Sequence, residues 1–128
     1  MRLPIQINEQ SAEPLYHQIS VQLRALIVSG QLEEGMLLPS IRELAQSVKC
    51  SVITIKRVYS DLENEGLLRT RQGMGTYVNQ VNPHELDKQR LSAVREAIEE
   101  AIQAGQRVQC TKQELQQLMN EALNRLYE

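Results

Sequence analysis

The sequence of 128 residues contains no phenylalanine, no tryptophan and only four tyrosines. Readers of single-stranded nucleic acid stack bases on aromatic side chains, so this composition argues against that class. Only two cysteines occur, Cys50 and Cys110, with no Cys-x-x-Cys pair, and the two histidines, His17 and His84, lie far apart. These counts argue against a disulfide framework and a structural zinc site. No nucleophile or metal ligand stands at useful spacing from either histidine, so we predict no metal, no cofactor and no enzyme activity.

Long apolar runs are also missing. No stretch approaches the roughly 20 apolar residues of a membrane-spanning helix, and the N-terminus lacks the apolar segment of a signal peptide. We therefore expect a cytoplasmic protein with reduced thiols and no membrane partner. Apolar residues make up 41% of the chain, and a chain of this length buries a core without disulfides.

Helix signals dominate the first half of the chain. Pro14 opens a stretch with apolar residues at three- and four-residue spacing, and Gly30 ends it. Ser40 and Glu43 form the pattern of a capping box. Ser51 begins a second short helix, whose buried stripe we expect to be Ile55, Val58, Tyr59 and Leu62. Two short helices joined by three or four residues predict a helix-turn-helix.

A hairpin pattern follows at once. Residues 67–71 and 76–79 are strand-like, and the four residues between them include two glycines that suit a tight turn. Residues 5–8 alternate and predict a further short strand. A helix, a helix-turn-helix and a two-stranded wing together describe a winged helix, so we interpret residues 1–81 as a winged helix-turn-helix DNA-binding domain.

Residues 82–128 read as two helices. Asn82 caps the first, Gly105 is expected to end it, and Thr111 with Glu114 forms a capping box for the second. Two helices cannot enclose a core alone, so they pack on the first domain, on another chain, or on both. We favour a two-helix dimerisation domain, because a two-fold dimer reads two half-sites. The fold class is thus mainly α with a small β wing, and the predicted dimerisation residues are Leu91, Val94, Ile98, Ile102, Leu115, Leu118, Leu123 and Leu126.

Charge is segregated although the net charge is only −2. Residues 1–81 hold eight basic and eight acidic groups, and residues 82–128 hold six and eight. Within the first part, residues 44–60 and 66–81 contain five basic groups and no acid. These windows contain the second helix of the helix-turn-helix and the wing, so we predict double-stranded DNA as the partner.

The predicted contacts are Lys49, Ser51, Thr54, Lys56 and Arg57 near the helix, Arg69 and Arg71 on the wing strand, and Gln72 with Gly73 entering the minor groove. The alternatives are a solvated basic surface, a purely capping Ser51 and an ordinary tight turn.

Five ordered motifs in residues 14–78 resemble the DNA-binding domain of GntR-family bacterial transcription regulators. They are Pro14-Leu15-Tyr16-x-Gln18-Ile19, Leu38-Pro39-Ser40-x-Arg42-x-Leu44-Ala45, Thr54-x-x-x-Val58-Tyr59-x-x-Leu62, Glu65-Gly66-Leu67-Leu68 and Gln72-Gly73-x-Gly75-Thr76-Tyr77-Val78. The short C-terminal part resembles the YtrA subfamily. The resemblance implies a homodimeric regulator, often a repressor, that binds an inverted-repeat operator and commonly controls transporter genes.

The resemblance also assigns Arg42 a base contact, for which its guanidinium fork suits guanine. Ser40, which begins the same helix, is a further predicted DNA contact. The alternatives for Arg42 are an ion pair with Glu43 or a phosphate contact. Val52 stands where many members carry an arginine that contacts DNA, so the operator is expected to differ from the family norm. The competing function is a winged-helix protein-interaction module without specific DNA binding. The sequence identifies no small-molecule effector, and the C-terminal part is too small for a conventional enclosed pocket.

Overall fold

Five α-helices and one two-stranded sheet lie along residues 2–127, the part of the chain that this computed structural model describes. In chain order the elements are α1 (Leu15–Val28), α2 (Ile41–Val48), α3 (Val52–Asn64), β1 (Leu68–Arg71), β2 (Gly75–Val78), α4 (Pro83–Arg107) and α5 (Lys112–Leu126). The predicted class, mainly helical with a small wing, is confirmed. The chain divides into two compact units, Met1–Arg90 and Leu91–Glu128. This division lies inside α4, whereas the sequence-based boundary at residue 81 lies just ahead of that helix.

Both helices of the helix-turn-helix begin at the predicted serine caps. The hydroxyl of Ser40 accepts from the backbone N–H of Glu43 at 3.1 Å, and the Glu43 carboxylate accepts from the Ser40 N–H at 3.0 Å. The hydroxyl of Ser51 accepts from the Thr54 N–H at 3.2 Å. Between the helices, Lys49 adopts a left-handed conformation (φ 55°) that ends α2. The caps satisfy donors that a first helical turn leaves free, so local chemistry sets where each helix starts.

One hydrophobic core joins α1, α2, α3 and the wing within the first unit. The predicted α3 stripe is buried, and each fully buried aliphatic side chain contributes about 1.5–3 kcal/mol relative to exposure. Leu86, in the first turn of α4, packs partly buried against this core, which explains why α4 begins inside the first unit. The least exposed core side chains are Ile19, Leu23, Leu44, Ile55, Val58, Leu62, Leu67 and Leu68.

The wing is an antiparallel pair, β1 with β2. Gly73 and Gly75, with φ of 78° and 117°, supply the positive φ that the sequence predicted for its turn. A further bridge joins Leu37 to Tyr77 on the outer side of β2. A Cβ at residue 75 would lie 2.9 Å from the Cδ1 atom of Leu37. Glycine at residue 75 is therefore favoured by its backbone conformation, and a Cβ there would also displace the end of the Leu37 side chain.

The extended segment ahead of α1 is held by side chains of that helix. The side-chain amide of Gln22 donates to the Gln6 carbonyl at 2.6 Å and accepts from the Gln6 N–H at 2.8 Å. Gln18 makes the same pair of bonds to Asn8, at 3.1 and 2.9 Å. We call Gln18 and Gln22 the glutamine clamp. The predicted strand at residues 5–8 is wrong, because this extended segment bonds to side-chain amides of α1 and not to another strand. Residues 18 and 22 are one helical turn apart, about 6 Å along α1, and this spacing matches the two-residue repeat of an extended chain.

The second unit contains the remainder of α4 and α5. The predicted capping box of α5 is confirmed, since the Thr111 hydroxyl accepts from the Glu114 N–H at 3.1 Å and the Glu114 carboxylate accepts from the Thr111 N–H at 2.8 Å. The prediction that Gly105 ends α4 is wrong, because the helix continues to Arg107. Gly105 is buried, and a Cβ there would lie 2.7 Å from the Cδ2 atom of Leu115. The glycine is a packing residue that lets Leu115 approach the backbone of α4.

Candidate nucleic-acid interface

Arg42 is an exposed residue in the first turn of α2. Its neighbour Glu43 is occupied by the capping box, and the Ser40 N–H, followed by the Ser40 hydroxyl, holds the pKa of Glu43 below its ordinary value. The ion pair between Arg42 and Glu43 is not formed. Within residues 2–127 no hydrogen-bond or ion-pair partner is found for the Arg42 guanidinium. The fork of donors on this side chain is therefore open to a ligand.

The start of α3 presents two hydroxyls and nearby positive charge. The Ser51 and Thr54 hydroxyl oxygens are 2.8 Å apart and joined by a hydrogen bond. Lys49 and Lys56 are both exposed, and neither has an ion-pair partner in the described part of the chain. Unpaired backbone N–H groups of a first helical turn also favour anions. The arrangement suits phosphate oxygens of a nucleic acid.

Arg57 is held against its own protein. Its guanidinium lies over the ring of Tyr16, 3.9 Å from the centroid, which is cation–π geometry. The Tyr16 hydroxyl donates to the carboxylate of Asp61, and this bond is the first cause of the raised pKa of Tyr16, followed by burial. The contact joins α1 to α3. A direct DNA contact by Arg57 stays a prediction, and the observed role of this side chain is to bind the helices together.

The acidic groups of α3 and its C-cap are all engaged within the protein. Besides Asp61, Glu63 accepts from the Thr70 N–H at 2.7 Å. Glu65 forms a two-bond ion pair with Arg24, with both donor–acceptor distances at 2.8 Å. These bonds tie α3 to the wing and to α1. These three acidic groups are thus bonded to groups of the same unit, while the cationic groups of Arg42, Lys49, Lys56 and Arg69 have no ion-pair partner among residues 2–127.

The predicted wing residues lie together on the hairpin. Arg69 and Arg71 are exposed and two residues apart on β1, and with Tyr77 they line an open surface cleft of about 420 Å³. The guanidinium of Arg71 lies 5.8 Å from the centroid of the Tyr77 ring. Gln72 and Gly73 are exposed in the turn that joins the strands. This unit therefore brings two cations to one side of the wing and a narrow turn to its tip.

Three exposed apolar side chains at this surface were not among the predicted site residues. Ile53 is 79% exposed and Val52 46% exposed in the first turn of α3, and Met74 is 63% exposed in the wing turn. The signal for Ile53 was present in the sequence, because the helical repeat places it opposite the buried stripe of α3. An aliphatic side chain has no charge or hydrogen-bonding group, so the pattern of charges and hydroxyls did not indicate it.

The predicted dimerisation residues divide by exposure. Ile102 and Leu115 are half-buried within the second unit. The others are exposed by 45% to 73%: Leu91, Val94, Ile98, Leu118, Leu123 and Leu126. A set of exposed aliphatic side chains at helical spacing is typical of a surface that another protein surface covers.

The described residues contain no cluster of side chains arranged for metal binding or for thiol chemistry. No group of three or more His, Cys, Asp and Glu side chains in residues 2–127 is placed to hold a metal ion. Cys50 and Cys110 are free and half-buried, and burial raises the pKa of the Cys50 thiol. Among the described helices, none combines the length and the apolar character that crossing a membrane requires.

Known proteins resemble this chain in sequence and in fold. The sequence model of the family described as "Bacterial regulatory proteins, gntR family" matches residues 15–78. The HTH-type transcriptional repressor YtrA of Bacillus subtilis is 34% identical over 98 residues, which cover 77% of this chain and 75% of that protein. A GntR family transcriptional regulator from Listeria monocytogenes superposes with a TM-score of 0.72 at 25% identity, over 88% of this chain and 97% of that chain. AraR(DBD), solved in complex with an operator, superposes with a TM-score of 0.53 at 28% identity, over 61% of this chain and 98% of that chain.

Proposed function

This chain belongs to the gntR family of bacterial regulatory proteins and is a DNA-binding transcriptional regulator, and we propose that it acts as a homodimeric repressor of an inverted-repeat operator. The observation that carries the proposal is the separation of charge around α3. The acids of that helix and its C-cap are each bonded to another group of the same unit, whereas the cationic groups of Arg42, Lys49, Lys56 and Arg69 have no ion-pair partner among residues 2–127. Repression is proposed because YtrA of Bacillus subtilis is a repressor.

Each element then has a distinct role. Arg42 reads a guanine edge in the major groove through two N–H donors. The hydrogen-bonded Ser51 and Thr54 hydroxyls together keep one free proton, which donates to a phosphate. Lys49 and Lys56 add sequence-independent attraction, as do the wing arginines. Gln72 and Gly73 enter the minor groove, where glycine permits a close backbone approach. Because the chain acts on the chromosome, its proposed location is the cytoplasm.

The homodimer is proposed from the exposed aliphatic residues of the second unit. A two-fold dimer presents two α3 helices to half-sites separated by one helical turn of DNA or more. That symmetry is the reason for an inverted repeat. The regulated genes are proposed to encode transporters, as the resemblance to the YtrA type implies.

Binding of the full chain to the DNA upstream of its own gene tests this function. We expect preference over a random duplex of equal length, and affinity that falls by roughly three orders of magnitude between about 50 and 200 mM salt if about six phosphates are contacted. Lys56→Ala should lower affinity for both duplexes. It should also reduce the slope of log affinity against log salt concentration by about one, the value of one phosphate contact. Lys88→Ala, on α4, is the matched control and should change neither. Equal affinity for the two duplexes would overturn specific regulation, and binding insensitive to salt would favour a protein-interaction module.

A further inference from the structure

The first turn of α3 carries an aliphatic pair in water. Val52 and Ile53 follow the Ser51 cap directly, and Ile53, at 79% exposure, is the more exposed of the two. Both are β-branched and are poor choices for an exposed helical turn on propensity grounds. Helix starts favour acidic residues, yet the first turn of α3 has none. Neither helix formation nor core packing therefore explains why residue 53 is isoleucine.

The geometry of α3 places Ile53 on the face that looks away from the core. It lies two positions before the fully buried Ile55, which places it about 160° around the helix from that residue. Arg57, one turn later on the same face, has its guanidinium over Tyr16. The hydroxyls of Ser51 and Thr54 are bonded to each other. The most exposed group in this turn is thus the carbon surface of Ile53.

We propose that Ile53 reads a thymine in each half-site by packing against the 5-methyl group in the major groove. This inference rests on the proposed function. Residues at the start of a recognition helix contact base edges, and a side chain without donors or acceptors makes no hydrogen bond to them. Of the four bases only thymine offers a methyl group in the major groove. The surrounding basic residues, with no acid in residues 44–60, favour the approach of the phosphate backbone that such a contact needs.

Replacement of thymine by deoxyuridine tests the contact, since it removes the methyl group and keeps the base pair. The full chain first selects its site from a random duplex pool, and each thymine of the selected duplex is then replaced in turn. At one thymine of each half-site we expect about a fourfold rise in Kd, the value of one buried methyl-sized group. Replacement in both half-sites should give roughly fifteenfold.

Variants assign the effect to the side chain. Ile53→Ala should bind the thymine and deoxyuridine duplexes equally, and an unchanged melting temperature would show that it folds. Val21→Ala, at a 44% exposed position on α1, is the matched control and should keep the full methyl dependence. Selection of no preferred sequence overturns the proposed function and this inference with it. A selected site without thymine, a duplex insensitive to deoxyuridine, or a methyl dependence that survives in Ile53→Ala overturns the inference alone.

Discussion

The hydroxyl of Tyr59 donates a hydrogen bond of 2.8 Å to the carbonyl oxygen of Pro39, in a buried position between α3 and the start of α2. Pro39 directly precedes the Ser40 cap, so this bond sets the first turn of α2 against α3. Burial raises the pKa of Tyr59, with a further contribution from the charge of Glu43, so the hydroxyl keeps its proton well into alkaline solution. The placement of Arg42 thus depends on a phenol in α3, the next helix of the chain.

Tyr59→Phe should lower the free energy of unfolding by about 1–3 kcal/mol, because the Pro39 carbonyl is left buried without its donor. Urea denaturation measures the change. Tyr77→Phe is the control, since its hydroxyl makes an exposed bond of 3.3 Å to the Met74 carbonyl and its loss should stay within about 0.5 kcal/mol. A loss for Tyr59→Phe as small as that of the control would contradict the buried bond.

Acid should weaken the cap of α2. The pKa of Glu43 is lowered in the folded chain by the Ser40 N–H, so the cap is fully stabilising above the ordinary glutamate pKa and is lost as pH falls through the lowered one. Glu43→Gln keeps an acceptor at the same place and does not titrate. The wild type should therefore be more stable than Glu43→Gln near neutral pH, and the difference should shrink on acidification to roughly pH 3.

The measurement is urea denaturation of both proteins at the two pH values. Glu34→Gln, which removes one exposed carboxylate outside the helices, controls for the loss of a charge. A difference between wild type and Glu43→Gln that stays constant with pH would show that the cap does not depend on the charge of residue 43.

Arg42→Ala should remove discrimination between operator and random DNA while the fold is retained. A bidentate contact to guanine contributes about 1–3 kcal/mol of discrimination, so the ratio of the two affinities should fall by roughly 5- to 150-fold. Arg42→Lys keeps the charge without the fork, and should retain affinity for random DNA but not specificity. Arg95→Ala, on α4, is the control. An unchanged ratio in Arg42→Ala, measured by fluorescence anisotropy, would remove this residue from base readout.

Ile98→Glu should convert the dimer into a monomer. The side chain is 45% exposed in the second unit, and a carboxylate there would be buried without a partner once two copies associate. Sedimentation velocity over a concentration series measures the association state. Val21→Glu, at 44% exposure on α1, introduces the same charge on a helix of the first unit and should leave the dimer intact. A dimer that persists in Ile98→Glu would place the interface elsewhere.

Local signals predicted most of this fold, because they report local chemistry. The serine and threonine caps at residues 40, 51 and 111 act on backbone donors three residues away, so the sequence contains both partners. Gly105 failed as a helix end because its role depends on Leu115, which α5 brings against it. A glycine that permits close packing and one that ends a helix look identical in sequence.

The sequence indicates which charged residues belong to the candidate site, but not which of them contact other residues of the protein. The absence of acids in residues 44–60 predicted a basic surface at the start of α3, and Lys49 and Lys56 are exposed there, whereas Asp61 and Glu63 lie in the second half of the helix. That Arg57 lies on Tyr16 depends on the packing of α1 against α3, which spacing alone does not reveal. Distances between elements decide which cations are open and which are structural.

The glutamine clamp makes the extended segment ahead of α1 more tolerant of mutation than the two glutamines that hold it. Gln18 and Gln22 bind main-chain atoms of residues 6 and 8, and Gln18 also donates to the Glu13 carbonyl at 2.9 Å, so the side chains at positions 6 and 8 take no part in these bonds. Substitutions at position 6 should be nearly interchangeable, proline excepted since it lacks the N–H, whereas position 8 also favours an acceptor because the Asn8 Oδ1 atom accepts from the Gln10 N–H at 3.0 Å. At positions 18 and 22 the same amide must both donate and accept, a combination that among the standard side chains of this length only glutamine offers. The position of the extended segment is therefore determined mainly by the sequence of α1, against which it packs.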